Sequence, residues 1–433
     1  MISEFRSRFN QLFRPSQYEA LLATLHEKCE SPIGFRVAET PIFLPFTLLV
    51  ELASSGAEMA RALVGDAAYL AAARQAIPAG YCLPGQTPHP NFLTADFALI
   101  RAETAQNGSE NPSGLVPRLV EIQAFPSVYG YQQVLNAAYK KTFALPDSLG
   151  TYLGGLDEGS YWGLLRTTIL GNHSPENVVL TEFDPLNQKT LPDFLVTARR
   201  LGIKVVDIRS LKAEQNRLFY LDESGRSIPI HRIYNRTIAD ELIARDIVLP
   251  FALDHPWEVE WAGHPNWYFL ISKFSIPWLA QMPGRFPAVP PGVFLEDFLE
   301  GDGRQRLIAA GVSLPSQIRP DTVYDQLLLK PLFSFAGKGI QFDPTQAQLD
   351  AIPQSKRGEF LLQQRMHFEP TIITPHGLTQ AEIRILYLWP DGGELTPALS
   401  LVRLGRGKMM GVDHNKNQQW VGASSAFYPI GQI

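Results

Sequence analysis

Residues 327–340 read LLLKPLFSFAGKGI. An apolar run of strand length ends in Lys330, a loop holding Gly337 and Gly339 follows, and Ile340 opens the next strand-like stretch. Glycine has no Cβ, so such a loop can bring backbone N–H groups close to a phosphate, and a lysine at a strand end supplies a point charge. The spacing is not that of a P-loop, because G-x-x-x-x-G-K-[ST] is absent. The same pattern also describes an ordinary glycine hairpin between solvated lysines, so the flanking sequence has to decide.

Working outward, ISKFSIPWL (271–279) places Lys273 at the start of a predicted helix, where a lone lysine is ordinarily a surface residue. On the other side, FLLQQRM (360–366) reads as a strand. AEIRILYLW (381–389) alternates so that Glu382 and Arg384 share one face of a strand. That pair suits a solvated sheet face, or a metal and a charged substrate. VDHNKNQQW (412–420) offers Asp413, Asn415 and Asn417, which are oxygen donors for a hard cation or members of a polar turn. PALSLVRL (397–404) completes a C-terminal region made mainly of strands.

Further upstream, the Pro- and Gly-rich MPGRFPAVPPG (282–292) reads as a linker. VVLTEFD (178–184), TLPDFLVTARRLG (190–202) and KVVDIRS (204–210) read as strand, helix and strand, with Gly202 ending the helix. RLFYLDESGRSIPIHRIYNR (217–236) reads as a hairpin turning at ESG. ADFALIRAET and RLVEIQAF predict two paired strands around the loop signal QNGSENPSG (106–114), with Asp96 on the first and Glu121 on the second. Residues 1–85 place apolar residues at helical spacing.

The bulk composition limits the alternatives. The 433 residues carry 38 basic and 43 acidic side chains, a net charge of −5, which argues against nucleic acid as the main partner. Cys29 and Cys82 are too few for a disulfide framework and belong to no zinc-type cluster, which fits a reduced, cytoplasmic setting. The most apolar run, Pro41 to Ala53, is too short to span a bilayer, so no membrane is expected. A G-x-S-x-G elbow and a His-rich metal motif are also missing.

In this order, the segments resemble the circularly permuted branch of the ATP-grasp superfamily, which includes glutathionylspermidine synthetase; eukaryotic-type glutathione synthetases are similar. TADFALIR (94–101) and LVEIQAFPSVYGYQ (119–132) resemble the family's paired strands, and VVLTEFDP, ARRLGIKVVDIRSL and IHRIYNRTIADEL its linker domain. HPNWYFLISKFSIPWL (264–279) is similar to its "S-x-K…L-P" segment, LLLKPLFSFAGKGI to its "K-P-x-x-S-x-x-G" lid, and FLLQQRM to its hinge strand.

The resemblance implies an α/β (α+β) fold with a small doubly wound α/β domain. It also implies an ATP- and Mg2+-dependent ligase joining small-molecule or short-peptide carboxylates and amines through an acyl phosphate. The expected division of the chain is an N-terminal helical segment (1–90), a metal-site hairpin with part of the core (91–175), a Rossmann-like domain (176–260), and a lid with the C-terminal core (261–433). Asp96, Glu121 and Gln123 become candidate magnesium ligands; relatives often carry asparagine at the last position. Lys273 and Lys330 are expected on ATP phosphates beside Gly337 and Gly339, and Gln364 beside adenine. Glu382 and Asn417 are further metal candidates read from the residues themselves. Arg384 and Lys338 are the candidate catalytic cations. One departure stands out: Phe335 and Ala336 occupy positions where relatives carry an arginine and a metal-binding glutamate. Lys338 can replace the arginine's charge but not the carboxylate. A binding protein without ligase activity is therefore the alternative.

Overall fold

The computed structural model describes residues 1–101, 114–282, 284–334, 337–411, 415 and 417–431. It is a mixed α/β structure built from several sheets. Phe335, Ala336 and Asp413, and most of the loop signal at 106–114, lie outside the described residues.

The central sheet is antiparallel, in the order Gly422–Ser424, Thr396–Gly405, Gly377–Leu388, Phe92–Arg101, Leu115–Gln123. Alternation, interrupted by a bulge at Val120, sorts its side chains. Ala95, Phe97, Ile122, Ile383, Ile385, Val402 and Leu404 join one core, while Asp96, Glu121, Glu382, Arg384 and Arg403 alternate with them onto the other face. Helix Phe46–Gly65 covers the apolar face with Leu49, Leu52, Ala53, Gly56, Met59, Ala60 and Leu63, a stripe at helical spacing. The helix comes so near that Tyr387 donates its hydroxyl to the Ala53 carbonyl at 2.9 Å, and any Cβ on Gly56 would overlap that hydroxyl. The next helix, Ala67–Gln75, starts at Asp66, whose carboxylate caps the Ala68 and Tyr69 N–H groups and also accepts from the Trp278 indole at 3.0 Å.

A second sheet is fully parallel, in the order Glu260–Ala262, Arg232–Asn235, Val178–Glu182, Lys204–Asp207. Helix Leu191–Leu201 connects its last two strands and ends at Gly202 in the left-handed region (φ 76°). The stretch 217–236 is not one hairpin. Arg217–Leu221 and Ser227–Ile230 pair antiparallel as read, but Arg232–Asn235 leaves them to become an inner strand of the parallel sheet. All four of its residues are buried, as a strand covered on both faces requires.

A third sheet runs Gly292–Phe294, Phe360–Gln364, Leu327–Pro331, Gln341–Phe342, all antiparallel. The Pro-rich segment before it is more than a linker. Phe286 and Ala288 are buried in the main core, and the Ala288 carbonyl accepts the Leu119 N–H at 2.7 Å. It thereby covers the outer edge of strand 115–123, where an open edge would invite pairing with another chain. Among the described residues, no helix is long and apolar enough to cross a membrane.

Candidate functional site

Antiparallel register sets the site. Asp96 stands opposite Glu121 on one side and Arg384 on the other, and Glu382 stands opposite Arg403. Four neighbouring strands therefore present five charged side chains to one face. Asp96 is 1% exposed, and each of its oxygens accepts from a guanidinium: Oδ1 from Arg384 Nε at 2.5 Å, Oδ2 from Arg384 Nη2 at 2.6 Å and Arg403 Nη1 at 3.1 Å. Burial pushes its pKa up, but the two guanidiniums outweigh this and hold it below the usual carboxylate range. Glu382 also pairs directly with Arg403, while burial pushes its pKa the other way, upward.

The lysines come from elsewhere in the chain. Lys273 lies just before the short helix Ser275–Ala280, and its Nζ is 3.7 Å from Glu121 Oε2. It donates to the Ser334 carbonyl at 2.6 Å, which ties it to the glycine loop. Lys330 sits on strand 327–331 and is 3% exposed, and no described residue lies within hydrogen-bonding or ion-pairing distance of its ammonium. Burial lowers its pKa to about 8, with Glu121 and Glu382 opposing the shift and Lys273 adding to it. Asp240, held by the Tyr268 hydroxyl at 2.6 Å, lies behind Lys273.

The structure thus brings Asp96, Glu121, Glu382, Arg384, Lys273 and Lys330 together. Gln123 shares the face two residues beyond Glu121, opposite Thr94. Gln364 ends its strand with its N–H donated to the Pro291 carbonyl at 2.8 Å. Gly337 and Gly339 both have φ near 74°, where a side chain would be strained, and Lys338 between them is exposed. A Cβ on Gly337 would overlap the Met409 side chain, so this loop rests against the loop following strand 396–405. Asn417 is exposed in a turn and joins no described part of the cluster. Of the two readings of Asn415, an oxygen donor for a cation or a member of a polar turn, the structure has the second. Its Oδ1 accepts the Arg406 N–H at 3.2 Å, and its amide donates to the Met409 and Gly411 carbonyls.

Sequence reading missed Arg403, Ser127 and Arg236. Ser127 accepts from Arg384 through Oγ at 3.3 Å and from Arg236 through its carbonyl. Arg236 is buried beside Asp193 (3.5 Å) at the carboxyl end of the parallel sheet, where burial also raises Glu182 to about 8. Its place in IHRIYNRTIADEL, a segment that resembles the family's linker domain, was the available signal for Arg236. The register opposite Glu382 would have been the signal for Arg403.

The donor set does not fit the magnesium ion implied by the resemblance. Mg2+ takes near-octahedral oxygen ligands, commonly one or two carboxylates plus phosphate oxygens and water. Here both oxygens of Asp96 accept from arginines, Glu382 is paired to Arg403, and the two oxygens of Glu121 face Lys273 and Arg384 at 3.7 and 3.6 Å. Four cations meet three carboxylates at this junction. Among the described residues, no group of three or more His, Cys, Asp or Glu is arranged to hold a metal. An anion fits instead, because Lys330 is a buried ammonium whose burial costs free energy unless a negative partner meets it.

Two small, half-open cavities lie elsewhere. One, of about 70 Å³, is lined by Phe5, Phe9, Phe13 and Phe43; the other, of about 100 Å³, by Leu83, Trp257 and Trp261. Neither shares a residue with the charged cluster and both are much smaller than a nucleotide pocket, so the cluster remains the candidate site. It is closed in this structure, with Ser334 standing over Lys273.

The chain matches no protein-family model and no curated protein. Its fold is shared with the apo form of a glutathione synthetase-like effector from Globodera pallida. The TM-score is 0.53 over 97% of this chain and 98% of that one, at 13% identity. A protein assigned as a gamma-glutamylcysteine synthetase from Methylobacillus flagellatus KT aligns over 86% of this chain and 87% of its own at 10% identity. Its TM-score of 0.35 is too low to build on. At these identities the first likeness is one of fold.

Proposed function

We propose that this protein has an ATP-grasp architecture and binds ATP by its phosphates where the central sheet meets the 327–331/360–364 sheet, as a ligase of the carboxylate–amine type. The observation that carries the proposal is Lys330, a buried lysine without an ion-pair partner among the described residues, beside Lys273 and a loop with two glycines in the left-handed region. In such a reaction a substrate carboxylate oxygen bonds to the terminal phosphorus as the bond to ADP breaks. An amine nitrogen then displaces phosphate from the acyl carbon and gives up a proton. Lys273 and Lys330 would neutralise charge on the transferred group, and the loop at 337–339 would exclude water from it. Arg384 and Arg236, bridged by Ser127, offer a cationic path for a substrate carboxylate, either a small acid or a short peptide.

A second reading, nucleotide binding without ligation, is favoured by the arginine pairing of Asp96 and by Phe335 and Ala336 in place of the arginine and glutamate of the relatives. One experiment separates the two readings. ATP binding by calorimetry, followed by ADP release with a panel of acids and amines, should show both for a ligase and binding alone for the second reading. The absence of any ATP-dependent thermal shift at millimolar nucleotide would remove both.

A further inference from the structure

We infer that the site takes a polyphosphate anion without a divalent cation, Arg384 and Arg403 supplying the positive charge that a metal would supply beside Asp96 and Glu382. The inference rests on the nucleotide reading above and specifies how that site meets its ligand. Asp96 is almost fully buried and its two oxygens receive three guanidinium hydrogen bonds, so three of its about four lone-pair sites are taken and little of it is left for a metal. Arg403 holds Glu382 as well as Asp96, so one guanidinium is shared between two carboxylates. Both arginines keep some exposure (side chains 12% and 22%), while the carboxylates behind them keep 1% and 6%. An arriving ligand therefore meets the cations first. Lys330 adds an ammonium without an ion-pair partner among the described residues, and Lys273 has there the Ser334 carbonyl and hydroxyl and a loose contact to Glu121 to give up.

Calorimetric titration of the full chain with ATP and with inorganic tripolyphosphate, in EDTA and in excess Mg2+ at matched ionic strength, tests this. The expected result is affinity in EDTA within about threefold of that in Mg2+, less than 1 kcal/mol of difference. Arg403→Ala frees Glu382 and removes one of the two hydrogen bonds on Asp96 Oδ2. It should lower metal-free affinity at least tenfold and create a dependence on Mg2+ that the wild type lacks, whereas Arg403→Lys should remain metal-independent. Circular dichroism checks that each variant is folded, and the wild-type comparison stands even where a variant is not. Wild-type binding of ATP only in Mg2+ would overturn the inference and leave the nucleotide reading intact. Tripolyphosphate binding in EDTA with no ATP binding would support the anion site and overturn the nucleotide. Failure of both ligands under both conditions would overturn both.

Discussion

A lysine that is 3% exposed and has no ion-pair partner among the described residues costs folding free energy when its ammonium is charged. Burial lowers Lys330 to about 8. Below that pH it is protonated in both the native and the unfolded chain, and the cost is present in full. As pH rises from about 8 toward the ordinary lysine range, the unfolded chain holds the proton longer than the native one, so native stability rises and the cost fades. Lys330→Met should therefore raise Tm at pH 7, and the gain should shrink toward pH 10. The same variant should weaken ATP binding by about 1–3 kcal/mol, the usual loss for a charge-assisted contact. A Tm that falls at pH 7 would mean that the ammonium contributes to the fold and is not held for a ligand. Lys330 and Lys273 were picked out by the resemblance of their segments, since by pattern alone each also fits a surface lysine. Arg403 was not: nothing in LSLVRLG marks it until strand 396–405 is placed beside strand 377–388, a pairing that local pattern does not reveal. Asn415 shows the converse, an oxygen donor in sequence whose oxygen is already committed to its own loop.

Strand alternation made the two faces of the central sheet readable, and helix 46–65 shows why the apolar face tolerates so little. Gly56→Ala should improve helix propensity by up to about 1 kcal/mol. The added methyl would instead meet Tyr387, so the variant should be destabilised by about 1–3 kcal/mol in urea unfolding, the usual cost of overpacking. A more stable variant would show that the helix can move off the sheet. The parallel sheet makes a prediction about pH. Glu182 ends strand 178–182 nearly buried, and burial raises its pKa to about 8. Its folded value lies above its unfolded value, so the native chain binds the extra proton between the ordinary glutamate range and pH 8, and stability is lost as pH rises through that window. Glu182→Gln should be more stable than wild type at pH 8 and nearly equal to it at pH 5, measured by thermal melts at both. Equal melts at pH 8 would mean that Arg236 already neutralises the carboxylate. Strand 232–235 was the element hardest to read, because SIPIHRIYN is one continuous β-forming run. The change of sheet at exposed His231 depends on partners far away in the chain.

At the scale of the whole molecule, the candidate site belongs to no single sheet. Asp96, Glu121, Glu382 and Arg384 come from the central sheet, Lys330 from the 327–331 sheet, and Lys273 from the segment entering helix 275–280. The few contacts that close this junction include the Lys273–Ser334 hydrogen bond and the approach of Gly337 to Met409. A polyphosphate bridging Lys273 and Lys330 would add attractions between units that otherwise present like charges to each other. ATP binding should therefore stabilise the junction more than either sheet alone. At about a hundredfold excess over Kd, mass action alone stabilises the native state by about 2.7 kcal/mol. Hydrogen exchange should show where that protection falls. With ATP, amides of 327–331 and 360–364 should slow along with those of 119–123, while the parallel sheet at 178–182 and 204–207 should change little. Lys330→Met should abolish the protection in both stretches together, because the ligand would lose one of the two units it joins. Protection confined to the central sheet would place the ligand on Arg384 and Arg403 alone, and the 327–331 sheet would then have no part in binding it.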